Sequence, residues 1–523
     1  MLNLMENDLD WALAHIETFG DTDVFPTPFE YKAIRYNWDN IKQFLLSQDI
    51  LKWVVRPNRI LLSPKAKYGF RVITQIDPID SIIYSALIHH ISQDIEEIRI
   101  PIEDQIVFSY RAQSNPNGTL FNPSVGYRDF LTRCREIIEG NTDITHIVVT
   151  DISDFYSQIY LHRLENALRS SNADSNYISS IMYLLSGWNG SETYGIPVGN
   201  APSRLLAEAT LSDVDSSLRA NGINFIRYND DYRIFSQSHT DAYRSLAYLA
   251  EILNRNHGLT LQQQKTDILS SELFKEKYLI TPQDKEINKL HERFDDLIEV
   301  LDLDDPYDYI DYDDLTEEQQ DIIDSLNLQE ILRNEITESE PDLPVVRFIL
   351  RRLTQLRDDS FLDEILDNID SLHPAFPDIV KYIAVFADLD ESRRHQIGDK
   401  LLHLFENSIV SELDYHKLWC LYPFSETSFW NQSDKFLILY NKSVDDISKR
   451  KLILALGRSN QRHWFQTQWR NLSNFSPWIK RAVIAGASCM PSDARKHWYR
   501  SIKPQLDILE QSIASWAKNN PFS

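Results

Sequence analysis

Apolar positions along the chain change their period near its middle. In residues 1–45 they recur at helical spacing on either side of Pro26 and Pro28, which predicts two helices around a turn. Short β-like runs follow (Trp53-Val54-Val55, Ile60-Leu61-Leu62, Arg71-Val72-Ile73), separated by Pro and Gly breakers. The helical period returns from Asp80 to Ile98 and stops before Pro101. Residues 115–126 hold Asn-Pro-Asn-Gly and a second proline and read as a loop. Ile144 to Asp151 is an apolar, β-branched strand that ends on a carboxylate, with a helix from about Leu161. Asn224–Tyr228 and Tyr232–Phe235 predict two short strands joined at Asn229-Asp230-Asp231. With helices on both sides, the first half is α+β. After Thr281 strand signals fade and amphipathic helical stretches run to the end, broken near Pro306, Pro341, Pro374, Pro423, Pro477 and Pro491. The last third is rich in tryptophan (Trp464, Trp469, Trp478, Trp498, Trp516). Stacked helix pairs are expected there, although no fixed repeat period emerges.

Composition sharpens this picture in three ways. A chain of 523 residues is expected to form two or three domains. No run approaches the ~20 apolar residues of a membrane span, and Met-Leu-Asn-Leu-Met-Glu lacks the basic start of a secretory signal. Cys134, Cys420 and Cys489 lie too far apart for a disulfide framework or a zinc site, so the expected compartment is a reducing cytoplasm.

Charge then redirects the search for a partner. The formal net charge of −25 opposes phosphate binding, but it is unevenly spread. Acid concentrates from Asp295 through Asp342, where Arg333 is the only lysine or arginine. Lys52, Arg56, Arg59, Lys65, Lys67 and Arg71, by contrast, occur without an intervening carboxylate. Net charge here speaks to solubility, and the local pattern to the partner.

The candidate chemistry begins at Asp151. Roughly eighty residues later Asp230 and Asp231 sit at the tip of a tight hairpin. Two strand-end carboxylates brought together can hold a pair of magnesium ions about 3.5–4 Å apart, and carboxylate oxygens suit that hard cation. Asp-Asp at a hairpin is also ordinary turn chemistry. The flanking residues decide between these. Val149-Thr150-Asp151-Ile152-Ser153-Asp154-Phe155-Tyr156 resembles motif A of the reverse-transcriptase palm, and Gly195 to Glu208 (Gly-Ile-Pro-Val-Gly-Asn-Ala-Pro-Ser-Arg-Leu-Leu-Ala-Glu) resembles motif B. Tyr228-Asn229-Asp230-Asp231 resembles motif C, and Gly258 to Thr266 resembles motif D. The four stand in the family's order. Motif B, with Val107-Phe108-Ser109-Tyr110-Arg111 and the Arg71 to Asp80 segment, is closer to bacterial defence-associated, abortive-infection-like reverse transcriptases than to retroviral enzymes. The resemblance covers roughly the first 280 residues.

That resemblance implies a right-hand polymerase of fingers and palm over residues 1–285. It is followed by an all-α, HEAT-like domain over 286–523 that includes the acidic segment 295–342. It implies an antiphage-defence polymerase that adds dNTPs with two Mg²⁺ ions in a bacterial cytoplasm. Asp151, Asp230 and Asp231 are the implied catalytic acids and metal ligands, and Lys265 approaches the triphosphate. Tyr156 takes the position that blocks a ribose 2′-hydroxyl. Arg71 and Lys65 grip the triphosphate, while Ser203 and Arg204 belong to the dNTP-binding set and orient motif B. Gly195, Pro197 and Gly199 are expected to let backbone approach the template–primer. The implied partners are a single-stranded DNA product, a noncoding RNA template where one is copied, and further copies of the chain in a trimer or hexamer. Initiation from a protein hydroxyl, with synthesis either template-independent or copying a noncoding RNA, is implied by the same resemblance.

Several features point elsewhere. Retron-type elements are absent, and an acidic stretch replaces the basic domain that follows the palm in group II intron enzymes. Tyr312-Asp313-Asp314 repeats the motif C letters inside the acidic stretch and reads as solvated surface. Arg458 and His463 only superficially resemble a HEPN ribonuclease motif, and no phosphate-loop motif occurs. The rival readings are a catalytically silent RNA-binding scaffold on the same fold, and a palm that polymerises ribonucleotides.

Overall fold

The computed structural model describes residues 2–66, 68–190, 192–279, 320, 327–338 and 340–522. Its strands are β1 (Arg59–Ala66), β2 (Gly69–Gln75), β3 (His146–Asp151), β4 (Phe225–Tyr228), β5 (Asp231–Ser236) and β6 (Asp267–Ser270). The first two pair as a hairpin, and the others form an antiparallel sheet in the order β4-β5-β3-β6. The two-residue period of β3 sets which face each side chain takes. Ile147 and Val149 join Ile226, Phe235 and Leu269 under Phe130, Cys134 and Ile138 of the helix Tyr127–Gly140. Helix His239–Ile252 also packs on β3 and β5. The sheet is thus clamped by apolar burial, and its polar residues are left for the strand ends.

Two expectations need correction, and one strand is added to them. Trp53-Val54-Val55 is not a strand, because the Trp53 indole is buried and donates to Asp80 at 2.8 Å, which fixes this segment as a strap. The helical run from Asp80 is two helices, Pro78–His90 and Ser92–Glu97, broken at Ile91. Strand β6 carried no sequence signal of its own; at four residues it is defined by pairing with β3.

The chain separates into two compact units. One comprises Met1–Tyr31, Trp38–Ile60 and Val72–Thr281; the other comprises Lys32–Asn37, Leu61–Arg71 and Pro282–Ser523. The tip of the β1–β2 hairpin thus clusters with the helices rather than with the sheet. Ser63 and Arg71 lie beside the buried Tyr415, which they help to hold.

The second unit is helical among its described residues apart from that hairpin tip. Helix Asp446–Arg458 packs on Pro477–Gly486, which packs on Ile508–Asn519. The first contact needs glycine: a Cβ on Gly457 would lie 2.8 Å from the Gly486 Cα. Trp478 and Trp498 are core residues, whereas Trp469 is 41% exposed. Arg458 sits over the Phe522 ring at 3.9 Å, a packing role for the arginine of the HEPN-like pair. The acidic stretch, apart from 320, 327–338 and 340–342, lies outside the described residues, as do Tyr312-Asp313-Asp314 and Lys67. All three cysteines are free and buried. Among the described residues, no helix is long and apolar enough to cross a membrane.

Candidate active site

Antiparallel register brings the acids together. Asp151 ends β3 directly opposite Asp231 at the start of β5. Asp230 sits beside them in the two-residue connection from β4, where its carbonyl accepts from the Ile152 N–H at 3.1 Å. Asn229 precedes it with φ of 55°, a left-handed conformation that asparagine tolerates better than most residues. The motif D segment is strapped along motif A: Gln262 N–H donates to the Asp151 carbonyl at 2.7 Å, and Ser153 N–H to the Thr260 carbonyl at 2.9 Å. The Thr150 and Thr266 hydroxyls meet at 2.7 Å. This strap delivers Lys265, whose ammonium forms an ion pair with the Asp151 carboxylate.

The electrostatics at the acids are unbalanced. Burial pushes the Asp230 carboxyl up to about 7, and the facing Asp151 carboxylate, with which it shares a hydrogen bond, pushes in the same direction. Burial lowers the affinity of Lys265 for its proton, but the contact with Asp151 outweighs this and leaves its pKa raised. Asp231 is in a different state. Arg233 grips it with two bonds, 2.6 and 3.1 Å, so its charge is already met.

Behind the turn lies a buried ionic cluster that the motif reading missed. Arg227, Glu208, Asp215 and Arg99 are each 5% exposed or less. Arg227 bonds Asp215 at 2.6 and 2.9 Å and Glu208 at 3.0 Å, and Arg99 bonds Glu208 at 2.7 Å. The two arginines outweigh burial and hold Glu208 below the usual carboxylate range. The cluster ends on the Asn229-Asp230 turn. Arg227 donates to the Asn229 carbonyl at 2.7 Å, and Ser109 accepts from the Asn229 N–H at 2.7 Å while donating to Glu208 at 2.5 Å. A signal was present: Arg227 and Arg233 are cations inside otherwise apolar strand runs, and such residues need buried partners.

The remaining candidates are scattered. Tyr156 stands near the acids, its hydroxyl donating to the Asn229 side-chain oxygen at 3.2 Å. Ser203 is fully buried, its hydroxyl 3.0 Å from that of Tyr84 and its N–H capped by Asn200. It belongs to the frame of helix Ala201–Thr210 rather than to an open surface. Arg204 pairs with Asp23 and lies 5.3 Å above the Tyr110 ring. The close approach at Gly199 is internal: a Cβ there would fall 2.7 Å from the Thr22 hydroxyl. Lys65 and Arg71 are exposed on the β1–β2 hairpin, in the second unit.

The donor set fits a cation. The buried Asp151 and the part-buried Asp230 face one another, and the Lys265 ammonium bonds Asp151. Among the described residues, no cluster of three or more His, Cys, Asp or Glu side chains is arranged to hold a metal. A pair, Asp151 and Asp230, is therefore what the geometry offers, with Asp231 turned to Arg233.

Residues 63–291 match the family model described as reverse transcriptase (RNA-dependent DNA polymerase). That segment of the chain thus resembles a reverse-transcriptase domain. No curated protein matches the chain. Among solved structures, an apo telomerase from Candida tropicalis truncated from its C-terminal domain is 14% identical, with a TM-score of 0.31 over 42% of this chain and 52% of that one. Telomerase from Candida albicans in complex with a fragment of telomeric RNA is 11% identical, with a TM-score of 0.32 over 80% of this chain and 71% of that one. The chain spans about half the length of the first of these.

Proposed function

We propose that the chain is a bacterial antiphage-defence reverse transcriptase that adds deoxynucleotides at Asp151 and Asp230. The observation that carries this reading is the convergence of those two carboxylates at the β3 end and the β4–β5 turn. Asp151 and Asp230 would hold two Mg²⁺ ions, with Asp231 as a supporting charge fixed by Arg233. The chemistry such ions supply when bound is activation of the attacking 3′-hydroxyl and neutralisation of the departing pyrophosphate. Lys265 leaves Asp151 to meet the triphosphate. Tyr156 closes the space a 2′-hydroxyl would need. Lys65 and Arg71 are assigned to the triphosphate on chemical grounds, as cations that bind phosphate oxygens. The defence role, initiation from a protein hydroxyl, a noncoding RNA template, a homo-oligomer and a HEAT-like second unit follow from the motif B resemblance.

The test is incubation of purified protein with labelled dNTPs and Mg²⁺, with and without co-purified RNA and a primer. Asp230→Ala runs alongside, and products are resolved before and after protease. Nuclease-sensitive product absent from Asp230→Ala is expected, and a protease-dependent shift would place the primer on the protein. No incorporation under any of these conditions would leave the scaffold reading.

A further inference from the structure

Asn229 uses every hydrogen-bonding group it has. Its N–H goes to Ser109 at 2.7 Å and its carbonyl accepts from Arg227 at 2.7 Å, which anchors its backbone to the buried ionic cluster. Its side chain faces the other way. The amide donates to Asp230 at 2.7 Å, and the amide oxygen accepts from the Tyr156 hydroxyl at 3.2 Å. Asn229 thus bonds both the Tyr156 hydroxyl and the motif C acid, and nothing about motif C requires an amide there. A hydrophobic residue at this place would leave the Tyr156 hydroxyl without this acceptor and Asp230 without this donor.

We propose that Asn229 is a specificity-determining positioning residue that locks the Tyr156 ring to Asp230, so that sugar selection and acid placement are set together. This rests on the reading of Tyr156 as the group that excludes a ribose 2′-hydroxyl. The ring excludes a hydroxyl only while it is held still. Its own hydroxyl is the handle, and Asn229 is the hand. Because the same amide holds Asp230, a sugar that displaced the ring would pull on the acid as well. Left-handed backbone at Asn229 keeps both bonds in one geometry, since the side chain is aimed by a conformation few residues adopt.

The experiment compares incorporation of dTTP and ribothymidine triphosphate with Mg²⁺, on poly(rA)–oligo(dT) and without added nucleic acid, as the ratio of kcat/KM values in whichever condition supports synthesis. Incorporation in neither overturns the reading of Tyr156 and the link with it. The variants are Tyr156→Ala, Tyr156→Phe, Asn229→Gly and the double variant Tyr156→Phe/Asn229→Gly. Glycine keeps the left-handed backbone while removing the amide. Asn229→Asp, which keeps the acceptor for Tyr156 and loses the donor to Asp230, serves where the glycine variant does not fold. Tyr156→Ala is expected to abolish the preference for dTTP. Tyr156→Phe and Asn229→Gly should each lower it by about tenfold, the order of one hydrogen bond, and the double variant should be no worse than either. Asn229→Asp should retain the preference while lowering kcat. If Tyr156→Ala abolishes the preference but Asn229→Gly leaves it at the wild-type ratio, or if the two single effects multiply, the link is overturned and the role of Tyr156 stands. A wild type with no preference, or one that Tyr156→Ala does not change, overturns the reading of Tyr156 and the link with it.

Discussion

The two acidic clusters of the sheet-bearing unit differ in burial and in balance: Glu208 and Asp215 are almost wholly buried, whereas Asp151 is buried and Asp230 only partly so. At the back, Glu208 and Asp215 meet Arg99 and Arg227, two acids against two guanidiniums, with short bonds throughout. At the front, Asp151 and Asp230 face each other with only Lys265 between them and solvent, and Asp230 is held up to about 7. Pairing favours the charged form of a buried acid and burial opposes it: two arginines win at Glu208, whereas at Asp215 burial still outweighs Arg227 and leaves the carboxyl raised. The back cluster is therefore a frame whose purpose ends at the Asn229 turn. The front is a charge deficit that a cation can fill. A site of this kind teaches that balance, more than burial, separates a structural acid from a working one.

The largest effect should come from removing a front acid. Asp230→Ala is expected to lower dNTP incorporation by about a thousandfold or more, with the fold retained, as read by single-turnover incorporation and far-UV circular dichroism. Activity near wild type would break the comparison at once.

Next is the frame. Arg227→Met leaves Glu208 and Asp215 short of a partner and should cost about 3–5 kcal/mol of stability by urea denaturation. Denaturation unchanged by this substitution would show that the back cluster carries no load.

The third test sharpens the contrast through pH. In metal-free protein the folded state holds the Asp230 proton up to about pH 7, whereas an unfolded aspartate releases it near 3.8. Stability contributed by this group therefore falls as pH rises between those values and stays low above them. Asp230→Asn should be more stable than wild type by about 1–2 kcal/mol at pH 8, discounted for partial solvent access, with the gap closing near pH 4. Urea midpoints across pH check this, and a gap of the opposite sign would refute the charge-deficit account.

The smallest effect is expected at Ser109, where front and back join. Ser109→Ala removes the acceptor for the Asn229 N–H and should cost about 1 kcal/mol. Its kcat should fall while KM stays, and Ser109→Thr should restore it. Equal changes in kcat and KM, or failure of the threonine to rescue, would separate the turn from the cluster.

Much of the front was legible in the chain. Asp151 ends a β-branched run, and Asn229-Asp230-Asp231 interrupts two others, so strand period and turn chemistry alone place acids at one edge of a sheet. Lys265 was legible only by resemblance, because its segment has no period; the strap of backbone bonds from Gln262 and Ser153 brings it in. Resemblance to motif B puts Ser203 in the dNTP-binding set, but its hydroxyl lies 3.0 Å from that of Tyr84, and no local pattern reports that direction. The back cluster was half visible. Arginines within Phe225–Tyr228 and Asp231–Ser236 demand buried partners, yet Arg99, Ser109, Glu208 and Asp215 are contributed from distant segments that only the fold assembles. The hairpin tip, Leu61–Arg71, clusters with the helices, where Ser63 bonds Tyr415, a long-range contact with no signal in sequence.

The central claim is that the unbalanced pair at the front is a cation site. Electron paramagnetic resonance of Mn²⁺ titrated into metal-free wild type, Asp230→Asn and the exposed control Asp143→Asn tests it directly. Wild type and the exposed-site variant Asp143→Asn should remove Mn²⁺ from the free signal equally, more strongly at pH 8 than at pH 6, and Asp230→Asn should lose this binding. Binding by Asp230→Asn indistinguishable from wild type would contradict it.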